Sequence, residues 1–293
     1  MAVVDTGVDP THPDLAGQLV PGATFAGCPA NQRPSSDGNS KGPDGQNNGD
    51  EHGTQVAGII AAATNNGTGI AGVAPNAKIM PVKVLEARVR QLRGHRRRCH
   101  LGNQQRGRRG ELSLGGLPGT QLFPITGLDT ALSDAIAYAR SRGVLTVAAA
   151  GNSATPLCSD HAFTDDMICV AATDRNELKS YYSELPVKPD LKTVAAPGGA
   201  GLVNCDDDIW STVPTGTGSA SCGQSAYDAY AGTSMATPHV AGEAALLYAQ
   251  GRNVSQVETA LLTTARQPVL GVRGVYTPVY GYGIVDAQAA VAS

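Results

Sequence analysis

Short apolar runs alternate with stretches of helical spacing along the chain, and that alternation predicts a parallel sheet covered by helices. The strands read as 2–4, 79–84, 144–150 and 168–172, each a brief apolar segment between polar or turn-forming residues. Leu128, Ala131, Leu132, Ala135, Ile136 and Ala139 recur at the period of a helix, and Gly143 follows where such a helix should stop. Further helices are expected over 52–63, 234–250 and about 255–265. The stretches 28–51 and 197–231 are rich in turn-forming residues and read as surface loops. No internal repeat and no linker divides the chain. The expectation is therefore one α/β domain over 1–293 with a mostly parallel sheet.

Composition narrows this picture. Charged residues make up only 16% of the chain, which suits a tightly packed globule with a substantial core. No run of 18 apolar residues exists, so no membrane-spanning helix and no membrane partner is expected. The chain opens directly on an apolar strand, Met1-Ala2-Val3-Val4, and this leads to the expectation of further residues upstream. Six cysteines stand at 28, 99, 158, 169, 205 and 222, none in the CxxC spacing of a zinc or redox motif. Cys158 with Cys169, and Cys205 with Cys222, each flank a short loop, as local disulfides do in oxidising compartments. Buried thiols are the alternative that spacing leaves open.

The net charge of −3 conceals an asymmetry. Nine of the 22 basic residues are arginines between 88 and 109, and Glu111 is the one acid of 88–112. Outside that stretch 13 basic and 24 acidic residues remain, a balance of −11. An acidic globule of this kind opposes phosphate contact, so no nucleic-acid partner is expected.

Three segments carry chemistry. In Val3-Val4-Asp5-Thr6-Gly7, an acid ends a buried strand, where open α/β sheets place their sites. In His52-Gly53-Thr54-Gln55-Val56-Ala57-Gly58, a histidine opens a helix of small residues. In Gly232-Thr233-Ser234-Met235-Ala236-Thr237-Pro238-His239-Val240-Ala241-Gly242, a serine stands at a helix start, with Pro238 expected in the first turn. Singly, each has an ordinary reading: a strand-ending turn, a packed histidine, an N-cap serine. Together they supply what hydrolysis by serine requires. The hydroxyl is a poor nucleophile until a neutral imidazole takes its proton, and a carboxylate fixes that ring's tautomer.

These segments resemble the Asp, His and Ser signatures of the subtilisin-like serine proteases, in that family's chain order, and the likeness covers most of 1–293. The resemblance implies a three-layer α/β fold and an endopeptidase that forms an acyl-enzyme on Ser234. His52 would shuttle the proton and Asp5 would orient His52. Ala149-Ala150-Gly151-Asn152 resembles the segment whose asparagine donates to the oxyanion, so Asn152 takes that role and Ala150 and Gly151 lie against substrate. Ser113, Leu114, Gly115 and Gly116 resemble the strand that pairs with the substrate backbone. Asn65-Asn66-Gly67-Thr68-Gly69-Ile70 falls where the family often has a calcium loop. Asp14 and Asn66, with the carbonyls of Thr64, Thr68 and Ile70, would hold a structural calcium. The resemblance further implies no cofactor for catalysis, protein or peptide substrates, a monomer, and a secreted protein made with a signal and a pro-segment. The rival reading is a catalytically inactive homologue, or frameshifted gene product, serving as a binding module.

The chain departs from the family between Val84-Leu85 and Leu112-Ser113. There the family has a substrate-binding edge strand, a long helix and a core strand, and this chain has the arginine block. Such a block cannot form a buried helix, since each unpaired buried charge costs several kcal/mol. Back-translated with arginine codons of the CGN type and read one base later, residues 88–112 permit the string GFGNSGVIADGATWATSNGADVVNL, which joins Leu114-Gly115-Gly116 and restores those elements at the same length. A compensated pair of frameshifts is therefore the expectation for 88–112, and Cys99 would then be an artefact of the shifted reading.

Overall fold

Alternation within the strands decides how the sheets are covered. The structure, a computed structural model, describes residues 1–25, 51–85, 110–112, 130–156, 158, 165–187, 191–202 and 204–293. The arginine block at 88–109, Cys28, Cys99, and the expected substrate strand Ser113, Leu114, Gly115 and Gly116 lie outside these residues. Two compact units are formed, residues 1–108 with 211–228, and residues 109–210 with 229–293.

In the first unit, strand β1 (Ala2–Asp5) pairs in parallel with β3 (Met80–Lys83), which pairs in parallel with β2 (Ala23–Thr24). The register sets Asp5 beside Lys83 at the carboxyl ends of their strands. Helix α1 (His52–Ala61) packs on β1 and is buried from Gly53 onward. Its small residues permit close approach. A Cβ on Gly58 would lie 2.2 Å from Thr212 Oγ1, and the hydroxyls of Ser211 and Thr212 donate to the Gln55 and Thr54 carbonyls.

In the second unit, β4 (Gly110–Leu112), β5 (Thr146–Ala149), β6 (Met167–Thr173) and β7 (Thr193–Pro197) run parallel in that order. Side chains alternate between two faces. Val147, Ile168, Val170 and Val194 point one way, into a core with Ala236, Val240 and Leu247 of α3 (Thr233–Ala249) and Val257 and Leu261 of α4 (Val254–Thr264). Each fully buried aliphatic there contributes about 1.5–3 kcal/mol relative to exposure. The intervening residues point the other way: Ala148 and Met167 meet Ile136 of α2 (Thr130–Ser141), and Ala171 and Ala195 meet Ile284. A parallel sheet thus lies between helical layers within this unit.

Several expectations need correction. Thr193–Pro197 is a strand that the apolar pattern missed, because its small residues form too short a run to register. The 197–231 stretch, expected to be loop, contains β8 (Ile209–Thr212) and β9 (Tyr227–Tyr230), a two-stranded ribbon. Gly110–Leu112, the described end of the anomalous stretch, pairs in parallel with β5. The last helix, α5 (Ala287–Ala292), is too short for periodicity, and only its N-cap Asp286, which accepts from the Ala289 N–H, announces it. Pro238 stands in the second turn of α3, not the first. The N–H it lacks would have served the Ser234 carbonyl, and the Thr237 hydroxyl donates to the Thr233 carbonyl one turn earlier.

A disulfide joins Cys158 to Cys169, and Cys205 and Cys222 are each disulfide-bonded. No helix among the described residues is long and apolar enough to cross a membrane.

Candidate active site

Asp5 ends β1 and is completely buried, while the His52 side chain is 34% exposed at the first turn of α1. His52 Nδ1 lies 2.8 Å from Asp5 Oδ1 and 2.9 Å from Oδ2. An ionised carboxylate only accepts, so the shared proton belongs on Nδ1, and Nε2 is left with the lone pair of a base. Burial by itself would pull the His52 pKa down. The charge and hydrogen bond of Asp5, together with the Glu51 charge, outweigh it and hold the imidazole above its ordinary value.

Thr6 ties the two side chains into the backbone. Its N–H donates to Asp5 Oδ1 at 2.6 Å, and its hydroxyl accepts from the Gly53 N–H at 3.0 Å, next to His52. Gly53 is required here, because a Cβ would come within 2.2 Å of the Gly7 carbonyl oxygen. The sequence reading missed Thr6. The only signal for it was its place between Asp5 and Gly7.

In the second unit, Ser234 is half-buried at the second position of α3. Thr233, one residue earlier, is fully buried and acts as a hub. Its N–H and its hydroxyl both donate to Asn152 Oδ1, at 2.9 and 3.0 Å, and its hydroxyl accepts from the Gly151 N–H at 3.1 Å. Two donors on the Asn152 oxygen fix which way the amide faces, so its Nδ2 is presented as a donor beside Gly232 at the head of the helix. The N–H groups of Met235 and Ala236 turn back to the Gly232 carbonyl. A helix N-terminus with an oriented amide donor beside it favours negative charge. Ala150 and Gly151 are buried, and the Gly151 carbonyl accepts from the Glu184 N–H at 3.1 Å. Thr233 was also missed in the sequence, where it reads as one small residue among several.

The structure also brings together the residues of the expected calcium loop. Asp14 is fully buried; its Oδ1 accepts from Asn66 Nδ2 at 2.6 Å and its Oδ2 from the Ile70 N–H at 3.0 Å. Gly69, at φ +61°, lies so close to Asp14 and Tyr227 that a Cβ would overlap both. No group of three or more histidine, cysteine or acidic residues that could hold a metal occurs among the described residues. Of the remaining histidines, His12 is a core residue whose Nε2 lies 2.8 Å from the Ala226 carbonyl and whose Nδ1 accepts from the Asp14 N–H. His239 hydrogen-bonds the Met235 carbonyl, and burial lowers its pKa. His161 lies outside the described residues.

Comparison with known proteins bears on what this arrangement does. The family model for peptidase S8, the subtilase family, matches residues 1–283. Thermitase from Thermoactinomyces vulgaris is 39% identical over 271 residues, covering 90% of this chain and 80% of thermitase. Subtilisin BL from Lederbergia lenta is 38% identical over 297 residues, covering 99% of this chain and 89% of that protein. Among solved structures, a protease from Pseudoalteromonas arctica superposes with a TM-score of 0.74 at 32% identity, covering 99% of this chain and 88% of its own.

Proposed function

The chain belongs to the subtilase family and is a subtilisin-like serine endopeptidase, and from that premise we propose the role of each residue. Ser234 attacks the scissile carbonyl and carries the acyl group. His52 takes the serine proton through Nε2 and returns it to the leaving amine. Asp5 holds the imidazole in the tautomer that leaves Nε2 free to act and stabilises the imidazolium that forms. The Asn152 amide and the Ser234 N–H bind the oxyanion of the tetrahedral intermediate. Ala150 and Gly151, with Ser113, Leu114, Gly115 and Gly116, form the substrate walls, where an extended peptide adds as a strand. The observation that carries this reading is the Asp5 carboxylate meeting His52 Nδ1 through both oxygens, a contact that a merely packed histidine does not need.

Both units are parts of one catalytic domain on this reading, since the family match runs across them. Catalysis uses no cofactor, and the substrates are proteins or peptides met as a monomer. Neither nucleic acid nor membrane is a partner. The protein acts outside the cell, which the disulfide-bonded cysteines support, because disulfides persist in oxidising compartments. The second disulfide pairs Cys205 with Cys222. Asp14 and Asn66 hold a structural calcium with the carbonyls of Thr64, Thr68 and Ile70; one carboxylate among neutral oxygens suits a hard cation. Asn66 presents nitrogen to Asp14, so a cation there requires its amide to turn over and offer oxygen instead. The inactive-homologue reading has no observation in its favour.

The test is covalent. A fluorophosphonate should label Ser234 alone, identified by peptide mapping, and casein hydrolysis should disappear in Ser234→Ala. A protein that hydrolyses no casein and takes up no label would overturn the assignment.

A further inference from the structure

Lys83 is the largest fully buried side chain in the described structure, only 1% exposed at the end of β3. A lysine in such a place needs a reason, because burial disfavours the charged ammonium unless acceptors surround it. Its Nζ donates to the Thr6 carbonyl at 2.8 Å. Thr6 bonds both to Asp5 and to the residue that follows His52, with its N–H on the Asp5 carboxylate and its hydroxyl accepting from the Gly53 N–H. The parallel register also sets Lys83 directly beside Asp5, on the same face of the sheet. Beyond Lys83, the N–H groups of Val84 and Leu85 donate to the Asp5 carbonyl. The end of β3 thus holds the carbonyls of both Asp5 and Thr6, the second through the Lys83 ammonium.

We propose that Lys83 is a positioning residue for the Asp5–His52 pair, acting through the Thr6 peptide and placing a fixed positive charge beside Asp5. The inference rests on the protease reading and deepens it. Lys83 does not touch substrate. It holds the Thr6 carbonyl so that the N–H at the other side of that residue stays aimed at Asp5 Oδ1. Its position beside Asp5 sets its charge against the imidazolium that Asp5 stabilises, while the charged groups that bear on His52 itself are Asp5 of β1 and Glu51 ahead of α1.

The experiment compares the parent with Lys83→Met, which keeps length and volume and removes the charge, and with Lys83→Arg, which keeps the charge in a wider, planar head. Active sites are counted by fluorophosphonate titration, so that loss of folded protein is separated from loss of function. Per titrated site, Lys83→Met should lower kcat on the order of tenfold with KM near the parent value. It should also move the acid limb of kcat/KM to higher pH, since removing a nearby positive charge favours protonated His52. Lys83→Arg should restore the position of the acid limb while kcat stays reduced. If neither variant accumulates as folded protein, nitrogen-15 NMR of the parent decides: slowly exchanging ammonium protons on Lys83 with a through-bond coupling to the Thr6 carbonyl carbon are expected, and rapid solvent exchange without that coupling overturns the proposal. Parent-like kcat, KM and pH profile per titrated site in Lys83→Met also overturns it. A parent that takes up no fluorophosphonate overturns the protease reading first, and this inference with it.

Discussion

Asn152 owes its usefulness to Thr233. An asparagine amide is symmetric enough in shape to face either way, and two hydrogen bonds from Thr233 to its oxygen decide the matter. Asn152→Ala removes the side-chain oxyanion donor we propose while leaving Thr233 and Ser234 in place. Its kcat should fall about 10²–10³-fold with KM little changed, read by steady-state kinetics on a peptide anilide. A second expectation concerns His52, whose pKa is held above the ordinary 6.5 despite burial. Because the base must be neutral, the acid limb of kcat/KM should lie above that ordinary value. Asp5→Asn should lose activity on the order of 10⁴-fold, since an amide donating to Nδ1 enforces the wrong tautomer. For stability the sign is the usual one for a raised histidine: the contribution of the charged pair is fully present just below the unfolded value of 6.5 and fades as pH rises through the folded value. Asp5, His52, Asn152 and Ser234, the residues of the proposed site, stand out in the sequence because each sits in a short segment of distinctive residues. Thr6, Thr233 and Lys83 do not, because what they do depends on backbone groups brought near by the fold, and Thr or Lys at the end of an element has many ordinary uses.

Elements were legible where they carry a long apolar stripe and illegible where they are short. Helix α3 read clearly, although it is buried around nearly its whole circumference and has little amphipathic contrast. Strand β7 and helix α5 went unread because a handful of small residues gives no period to detect. The charged letter inside α3 is the informative exception. Glu243 is 2% exposed, and its Oε1 finds no hydrogen-bond partner among the described residues. Burial first, and then the Asp286 charge at the head of α5, push its pKa from 4.5 up to about 8. The folded protein therefore holds a proton on Glu243 that the unfolded chain releases. Stability from this group is complete below the unfolded value near 4.5 and is lost as pH rises toward 8, a loss on the order of 5 kcal/mol. Glu243→Gln should remove that slope, leaving stability near pH 5 close to the parent and raising it clearly at pH 9. Guanidinium unfolding of both chains in a Ser234→Ala background, which prevents self-digestion, is the measurement. A parent whose midpoint does not fall between pH 5 and 9 would show that Glu243 titrates normally.

At the scale of the molecule, one stretch of sequence conflicts with the rest. The family match runs across residues 1–283, and relatives at 38–39% identity cover 90% or more of the chain. Yet nine arginines fall within 88–109 of a chain that is otherwise strongly acidic. A core helix built from these residues would bury charges at several kcal/mol each, against a total stability of only about 5–15 kcal/mol for a typical domain. Either the block lies in solvent, or the sequence that nature translates differs there. Gly110–Leu112 already pairs with β5 as written, so the conflict concerns the residues before that strand. The shifted reading, GFGNSGVIADGATWATSNGADVVNL, exchanges seven of the nine arginines for glycine, alanine or valine, and Arg97 and Arg108 for aspartate, at equal length. Placed at 88–112, it should give more soluble protein, a cooperative thermal transition and a higher fraction of fluorophosphonate-titratable Ser234 than the chain as written. The source DNA, read independently across codons 84–116, should show a one-base gain near codon 88 and a one-base loss near codon 112. If instead the DNA encodes the arginines and the chain as written matches the exchanged one in titratable sites and melting, the block is a genuine solvated replacement of those elements. The strand and helix the family places there would then be dispensable for catalysis.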